Sequence, residues 1–248
     1  LRPEVLENLR RNPFIFDSLL IGAGGRRTVS KVIPTFVHNT VDNPIFPNVG
    51  KRLTAQLDLA VLGGNTRFWK PRIEGIFFRR MLPRTSIGFR AQAEYISPLG
   101  TSTTCQPPGP GQPAPATCAP TLPIFERLVL GGEYSVRGFD IRSIGPKVPD
   151  SQVVLGGNKS LLFNAEYLIS LASQVRLVLF YDAGQVRDVG QSFALKEELT
   201  ELVFPEGPPL RDPFTNASLT AQDAPGVTTR VIGQTSAFKT STGIELRF

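Results

Sequence analysis

The sequence predicts an all-β fold, an antiparallel transmembrane β-barrel, on the basis of three observations. Seven segments of the 248-residue chain alternate apolar and polar residues, so that every second side chain shares a face. Each segment has about ten to twelve residues, close to the ~9–11 that a tilted strand needs to cross a bilayer and longer than the ~5–6 typical of soluble sheets. Short turns join the segments at one end and very long connections join them at the other, as in outer-membrane barrels.

The alternation is sharpest in residues 52–62, where Leu53, Ala55 and Leu57 point to one face. Arg52 and Thr54 point to the other face. A soluble β-sandwich gives the same alternation, so this pattern alone leaves both classes open. The first of the predicted strands is less regular than the others. In chain order the predicted strands cover residues 28–39, 52–62, 68–79, 86–96, 161–169, 175–183 and 238–248.

The connections favour the membrane barrel over the sandwich. Tight turns are expected around Pro83 and at residues 171–173, whereas residues 97–159 and 185–237 form very long connections at the opposite end. In an outer-membrane barrel the long loops face the outside of the cell. The connection at residues 40–51 fits this scheme less well, because it is long and lies at the end with the short turns.

Aromatic residues near the strand ends fit the girdles that membrane barrels place at the bilayer interfaces. Ordinary sheet packing is the alternative for each of them. The residues concerned are Phe68, Trp69, Tyr95, Tyr181 and Phe248.

Composition and charge exclude several classes of protein. Hydrophobic residues make up 41% of the chain, and no apolar run approaches the ~18 residues of a membrane-spanning helix. The net charge of +6 comes from scattered basic residues without an aromatic-interleaved cluster, so nucleic acid is not an expected partner and lipid headgroups are the expected anions. Leu1 is not a start methionine and no leader-like segment follows it, so we expect the N-terminus of the protein to lie outside this sequence.

Two cysteines, Cys105 and Cys118, flank a stretch rich in proline and glycine at residues 106–117. A disulfide between them would staple an exposed loop in an oxidising compartment, and two unpaired thiols are the alternative. A metal site is not expected, because His38 is the one histidine and no further cysteine exists. No cofactor motif is present, since the glycine-rich segments 22–25 and 156–159 do not match a phosphate-binding loop.

Glu166 and Asp182 lie on the polar faces of consecutive predicted strands. A glycosidase needs two carboxylates ~5 Å or ~6.5–9.5 Å apart, but these two are offset along their strands, so we do not expect an enzyme. They are better suited as partners of Arg137, whose planar guanidinium matches a carboxylate with two hydrogen bonds. The alternative is an exposed loop arginine beside a turn glycine, Gly138.

Several motifs occur together in one order along the chain. Residues 131–139 contain Gly131 and Gly132 and then the sequence Val136-Arg137-Gly138-Phe139. This set, which covers roughly residue 28 to the end, resembles the BamA-like family of outer-membrane barrel assembly factors, a bacterial surface antigen barrel. The motifs that carry the resemblance are residues 42–50, 123–132, 136–139, 144–147, 164–167 and 180–184.

The resemblance implies a barrel of sixteen strands with a long extracellular loop that folds into the lumen. That loop corresponds here to residues 98–158, and its arginine, Arg137, would pair with Glu166 and Asp182 on the inner wall. Phe180 and Gly184 match the strand motif of the family, and Phe139 would wedge against the wall. Gly243, Leu246 and Phe248 resemble the terminal strand signal of outer-membrane barrels. Residues 1–248 would then be a partial barrel of about seven to eight strands, without the periplasmic POTRA domains that precede the barrel in the family.

The function that the resemblance implies is insertion of other β-barrels into the outer membrane of Gram-negative bacteria. In the family, a seam between the first and last strands opens so that an incoming strand can pair with it. Expected partners are unfolded outer-membrane proteins, assembly-complex lipoproteins and outer-membrane lipids, with no cofactor and no enzymatic activity. A fragment without the seam strands would not insert barrels alone. Two alternatives remain open, a polypeptide transporter of the two-partner-secretion type and a passive porin-like barrel.

Overall fold

The computed structural model describes residues 28–64, 66–100, 122–147, 153–172, 174–203 and 228–248, and in these ranges the chain is all-β. The prediction of an antiparallel all-β fold is confirmed, with strands and no helix among the described residues. No helix there is long and apolar enough to span a membrane. The strands are β1 (Thr35–Asn39), β2 (Gly50–Ala60), β3 (Phe68–Leu82), β4 (Thr85–Tyr95), β5 (Ser97–Pro98), β6 (Lys159–Ala172), β7 (Val175–Arg187), β8 (Lys196–Val203), β9 (Thr228–Ser236) and β10 (Lys239–Arg247).

The described chain divides into two compact units. The first contains one antiparallel sheet of eight strands in the order β1-β2-β3-β4-β6-β7-β10, with the short β5 paired to β3. The second unit is the antiparallel hairpin β8–β9. The large sheet is open within the described residues, since β1 and β10 are its two edges, and this agrees with a partial barrel.

The period-two alternation gives the large sheet two chemically different faces. Glu74, Arg90 and Asp182 share one face with other charged side chains, which we call the polar face. The opposite, apolar face exposes large hydrophobic side chains such as Ile73 and Phe163. Exposed apolar residues on one whole face of a sheet are costly in water and favourable against lipid.

The first strand is shorter than predicted. We expected a strand over residues 28–39, but β1 begins only at Thr35, while Val29 forms an isolated bridge to Gly64 and Val32 forms one to Leu59 of β2. Pro34 lies directly before β1 and has no N–H to donate to a ladder, which explains the interruption.

The connection at residues 185–237 is not simply a loop, so that prediction was wrong. Strand β7 continues to Arg187, and the hairpin β8–β9 follows it. The apolar–polar alternation did not predict this hairpin for two reasons. Glu197 and Glu198 are adjacent, and a bulge between Leu199 and Thr200 breaks the period of two. The connection at residues 97–159 likewise contains β5 at its start and the first residue of β6 at its end.

The long connection at the end with the short turns, residues 40–51, is a compact turn. The Asp42 carboxylate accepts a hydrogen bond from the main-chain N–H of Asn48 at 2.9 Å. Burial raises the pKa of Asp42. Hydrogen bonds from the main-chain N–H groups of Asn48 and Val49 outweigh this effect, so the pKa of Asp42 lies below its usual range. Arg176 on β7 donates a hydrogen bond to the Pro47 carbonyl at 2.8 Å, which ties the turn to a distant strand.

A hydrophobic core lies between the polar face and the long connection that precedes β6. Phe68 on β3 and Val136 in the connection are both fully buried in it. The prediction of Phe68 as an interfacial aromatic was therefore wrong, because its side chain points to the polar face rather than to lipid. Its neighbour Trp69 is partly exposed and packs edge-to-face on Tyr95, with ring centroids 5.6 Å apart.

Candidate functional site

The segment from Leu130 to Ile144 forms a closed loop, called here the docking loop, that lies on the polar face. Its ends are joined by main-chain hydrogen bonds of 2.9 Å between Leu130 and Ile144. Gly131 has a φ of 106°, and a Cβ atom there would stand 2.3 Å from the Asp140 carbonyl oxygen. Only glycine fits such a position, so this glycine makes the tight closure of the loop possible.

Arg137, at the tip of the docking loop, binds Asp182 on β7 through three hydrogen bonds. The guanidinium donates from Nε to Oδ2 at 2.8 Å and from Nη2 to Oδ1 at 2.7 Å. The main-chain N–H of Arg137 also donates to Oδ2, at 3.0 Å. A fork of this kind fixes both the position and the orientation of the two groups.

Two further carboxylates surround the same guanidinium. Arg137 Nη1 donates to Glu166 on β6 at 2.8 Å and to Glu245 on β10 at 2.7 Å. The guanidinium carbon lies 3.8 Å from the centre of the Phe180 ring, so the cation also stacks on an aromatic face. One loop arginine therefore holds side chains from three strands, and we call this group the Arg137 cluster.

Burial makes the Arg137 cluster costly to open. Asp182 has no solvent exposure, and the Arg137 side chain is 13% exposed. Desolvation lowers the pKa of Arg137, but the hydrogen bond to Asp182 and the charge of Glu166 outweigh it and raise the pKa above its usual value. The guanidinium thus remains charged in the docked state.

A second arginine, Arg247 on β10, shares two of the three carboxylates. It donates to both oxygens of Glu166, at 3.0 and 2.7 Å, and to Glu245 at 2.6 Å. Three carboxylates then face two guanidinium groups, which leaves the cluster with one excess negative charge.

Main-chain atoms of the docking loop have their own anchors on the sheet. Arg90 on β4 donates to the Tyr134 carbonyl at 2.8 Å, and Asn164 on β6 donates to the Ser135 carbonyl at 2.7 Å. The same Asn164 amide donates to Asp182 at 2.7 Å. Val136 directly follows these anchors and is fully buried, and burying a side chain of that size contributes about 1.5–3 kcal/mol.

Glycines on the sheet make room for the loop and for the aromatic platform. A Cβ atom on Gly184 would stand 2.8 Å from a methyl carbon of Leu130 and 2.9 Å from one of Val136. A Cβ atom on Gly243 would stand 2.7 Å from the ring of Phe180. Both glycines therefore allow close approach of a side chain.

The predicted site residues fall into three groups. The structure brings Arg137, Asp182 and Glu166 into direct contact, and Phe139 packs against the core beneath the loop. Leu246 and Phe248 at the chain end are exposed. The predicted disulfide stays a prediction, because Cys105 and Cys118 both lie outside the described residues.

Sequence reasoning missed Glu245 and Arg247. Both lie on the polar face of β10, and Ser241 of that strand pairs with Asp182 of β7. Their alternation was visible in the sequence, but the register that places β10 against β7 was not. The predicted offset between the two carboxylates is confirmed: Asp182 pairs with Asn164, so Glu166 lies two residues further along the neighbouring strand.

A separate charged group lies on strands β2 to β4, and we call it the Glu74 cluster. The Glu74 carboxylate accepts hydrogen bonds from Arg52 at 3.2 Å, Arg72 at 3.2 Å and Arg90 at 2.9 Å. Gln92 accepts from Arg90 at 2.9 Å. Because Arg90 also binds the docking loop, the two clusters are linked.

The sheet is antiparallel, exposes one apolar face suited to lipid, and carries the docking loop on its polar face. These features are those of the outer-membrane β-barrel class. Residues 8–248 match the profile of the Omp85 superfamily domain, and the chain belongs to this superfamily. The resemblance inferred from the sequence motifs is thereby confirmed, and the chain is an integral outer-membrane protein.

Two sequence relatives support this assignment, and one solved structure supports the fold. The chain is 25% identical over 172 residues to the outer membrane protein assembly factor BamA of Nitratidesulfovibrio vulgaris (strain Hildenborough), covering 68% of this chain and 20% of the relative. It is 43% identical over 75 residues to BamA of Neisseria meningitidis serogroup B (strain MC58), covering 27% of this chain and 9% of the relative. The crystal structure of Haemophilus ducreyi BamA lacking POTRA domains 1–3 matches with a TM-score of 0.50 and 22% identity, over 63% of this chain and 30% of that one, and supports the fold alone. The chain thus spans a fifth or less of the length of the two sequence relatives.

Proposed function

We propose that the chain is part of an outer-membrane insertase that folds and inserts β-barrel proteins. The observation that carries this proposal is the docking of Arg137 on carboxylates from β6, β7 and β10. Membership of the Omp85 superfamily and the similarity to two proteins named as assembly factors support it. Because the chain corresponds to a small part of these relatives, the proposal concerns the whole protein in which it lies.

In this proposal the polar face lines the lumen of a sixteen-stranded barrel, and residues 98–158 enter the lumen from the extracellular side. Arg137 then fixes the relative positions of three wall strands. The first and last strands of the barrel form a seam, whose opening exposes unpaired N–H and C=O groups. Such groups are costly in lipid, so an incoming strand that pairs with them is strongly favoured.

The insertion reaction needs no cofactor and no covalent chemistry. Pairing of strand edges and burial of apolar surface in lipid supply the free energy. Glu166 and Asp182 are occupied by guanidinium groups, which favours a structural use for them over general acid catalysis. The substrates are unfolded outer-membrane proteins, and assembly-complex lipoproteins and outer-membrane lipids are the other partners.

Reconstitution of the full-length protein in liposomes tests the proposal. Addition of an urea-unfolded eight-stranded outer-membrane protein should give folded, protease-resistant barrels much faster than empty liposomes do. The Arg137→Ala variant should lose most of this acceleration, and the matched loop variant Arg142→Ala should keep it. Translocation of the added polypeptide into the liposome interior would instead identify a secretion transporter, and a strong ion conductance without either activity would identify a porin-like barrel.

A further inference from the structure

The turn between β3 and β4 has a composition unlike the other turns of the sheet. All six residues from 79 to 84 are exposed. Arg79, Arg80 and Arg84 supply three positive charges, and the side chains of Met81 and Leu82 are 56% and 61% exposed. Cations and large apolar side chains therefore lie together on one short segment, which we call the basic turn.

The arginines of the basic turn differ from those elsewhere on the same strands. Arg52, Arg72 and Arg90 all bind the Glu74 carboxylate. In the described parts of the chain, the guanidinium groups of the basic turn have no ion pair, and neither has the ammonium group of Lys51 on the adjoining strand. Four cations at this corner of the sheet thus have no anionic partner among the residues that the structure describes.

The position of the basic turn suits the edge of a bilayer. Strand β3 extends beyond its last pairing with β2, which is Gly50 with Phe78, so residues 79–82 project past the neighbouring strand. The apolar face begins immediately above, with the exposed side chains of Phe77 and Phe89. Arginine side chains next to such an apolar belt extend to the headgroup level of the membrane.

We propose that the basic turn, together with Lys51, binds the headgroups of anionic phospholipids at the turn end of the barrel. The cations would contact the phosphate groups, and Met81 and Leu82 would contact the first carbons of the acyl chains. This inference rests on membership of the outer-membrane family and does not depend on insertase activity. It also gives the sheet a local lipid preference next to β3 and β4.

The sheet contains a matched control turn at the same end. The turn between β6 and β7 also exposes an apolar side chain, Leu171, which is 54% exposed. Its nearest arginine, Arg176, is 6% exposed and is bound to the carbonyl groups of Phe46 and Pro47, so it is not available to a lipid. The two turns thus differ mainly in free positive charge.

Photo-crosslinking of lipids at the two turns tests the proposal. The full-length protein, carrying p-benzoylphenylalanine at position 81 or at position 171, is placed in nanodiscs of equal phosphatidylglycerol and phosphatidylethanolamine, and the crosslinked lipids are counted by mass spectrometry. At position 81 we expect about five times more crosslinked phosphatidylglycerol than phosphatidylethanolamine, the ratio that one well-placed cation gives. At position 171 we expect about equal amounts of the two lipids. The triple variant Arg79→Gln, Arg80→Gln, Arg84→Gln should reduce the ratio at position 81 to that at position 171.

Salt provides a test that needs no substitution in the turn. Because exposed charges are screened, the enrichment at position 81 should fall when the salt concentration rises from 0.05 M to 1 M. Equal ratios at the two positions, or an enrichment that neither salt nor the triple variant reduces, would overturn the proposal. An acidic peptide as the true ligand would appear as equal ratios combined with crosslinks from position 81 to protein.

Discussion

The Glu74 cluster and the Arg137 cluster use the same residue types in opposite arrangements. In the first, one carboxylate is surrounded by three arginines from neighbouring strands that already pair with one another. In the second, one loop arginine is surrounded by three carboxylates from β6, β7 and β10. The first arrangement joins residues within the sheet, whereas the second joins a loop to the sheet.

Solvent access separates the two clusters further. The side chains of Arg52 and Arg72 are 44% and 37% exposed, so water can solvate these cations when their partner is removed. Asp182 has no exposure and depends on Arg137 and Asn164 for its hydrogen bonds. Loss of the central residue should therefore destabilise the buried Arg137 cluster more than the partly exposed Glu74 cluster.

Removal of the central arginine should give the largest effect. In the full-length protein, Arg137→Ala leaves the Asp182 carboxylate buried without its cation, and we expect a loss of about 3–5 kcal/mol of docking free energy. Limited proteolysis should then cut the docking loop rapidly. Cleavage as slow as in the unmodified protein would show that the Arg137 cluster does not hold the loop.

A lysine at the same position should give an intermediate result. Arg137→Lys keeps the charge and the main-chain hydrogen bond to Asp182, but one ammonium group cannot reproduce the fork and the additional bonds to Glu166 and Glu245. We expect a loss of about 2 kcal/mol, from several charge-assisted hydrogen bonds of which some are retained. The ratio of loop cleavage rates for the lysine and alanine variants measures the difference. Equal rates would show that charge contributes nothing without the fork.

The Glu74 cluster should respond less. Glu74→Gln leaves three partly exposed arginines that water can solvate, so we expect a loss of about 1–2 kcal/mol in overall stability. Thermal unfolding should detect this loss while loop cleavage changes little. A loop released as fully as in Arg137→Ala would mean that the Glu74 cluster, through Arg90, is the main anchor.

The smallest effect is expected at the edge of the Arg137 cluster. Glu245 has a side chain that is 34% exposed, and its neighbour Arg247 keeps Glu166 as a partner when Glu245 is changed. Glu245→Gln should therefore cost below about 1 kcal/mol, within the range of solvent-screened ion pairs. Loop cleavage under low and high salt is the measurement, and a change comparable to that of Arg137→Lys would contradict the assignment of Glu245 as a peripheral partner.

The sequence was informative where local pattern decides the structure. Strands β2, β3, β4, β6, β7 and β10 were predicted because a sheet between lipid and a polar interior must alternate. The meeting of Arg137 with Asp182 and Glu166 was expected from the family motifs.

What the sequence did not show depends on non-local pairing or on irregular backbone. Glu245 and Arg247 join the site only because β10 pairs with β7, which lies far away in the chain. Asn164 was part of a recognised motif, yet its role depends on the Ser135 carbonyl, and main-chain atoms leave no trace in a residue pattern. The β8–β9 hairpin was hidden because a bulge shifts its register.

Arg90 and Asn164 have a mechanical consequence. Arg90 binds both Glu74 and the Tyr134 carbonyl, and Asn164 binds both the Ser135 carbonyl and Asp182. A chain of polar links therefore runs across the sheet from β2 to β10, and three of its members lie directly opposite one another, since Arg90 pairs with Asn164 and Asn164 pairs with Asp182. Sliding of one strand along its neighbour would have to stretch these links, so they resist shear in addition to the ladder hydrogen bonds. We therefore expect β2, β3, β4, β6, β7 and β10 to move together as one stiff unit.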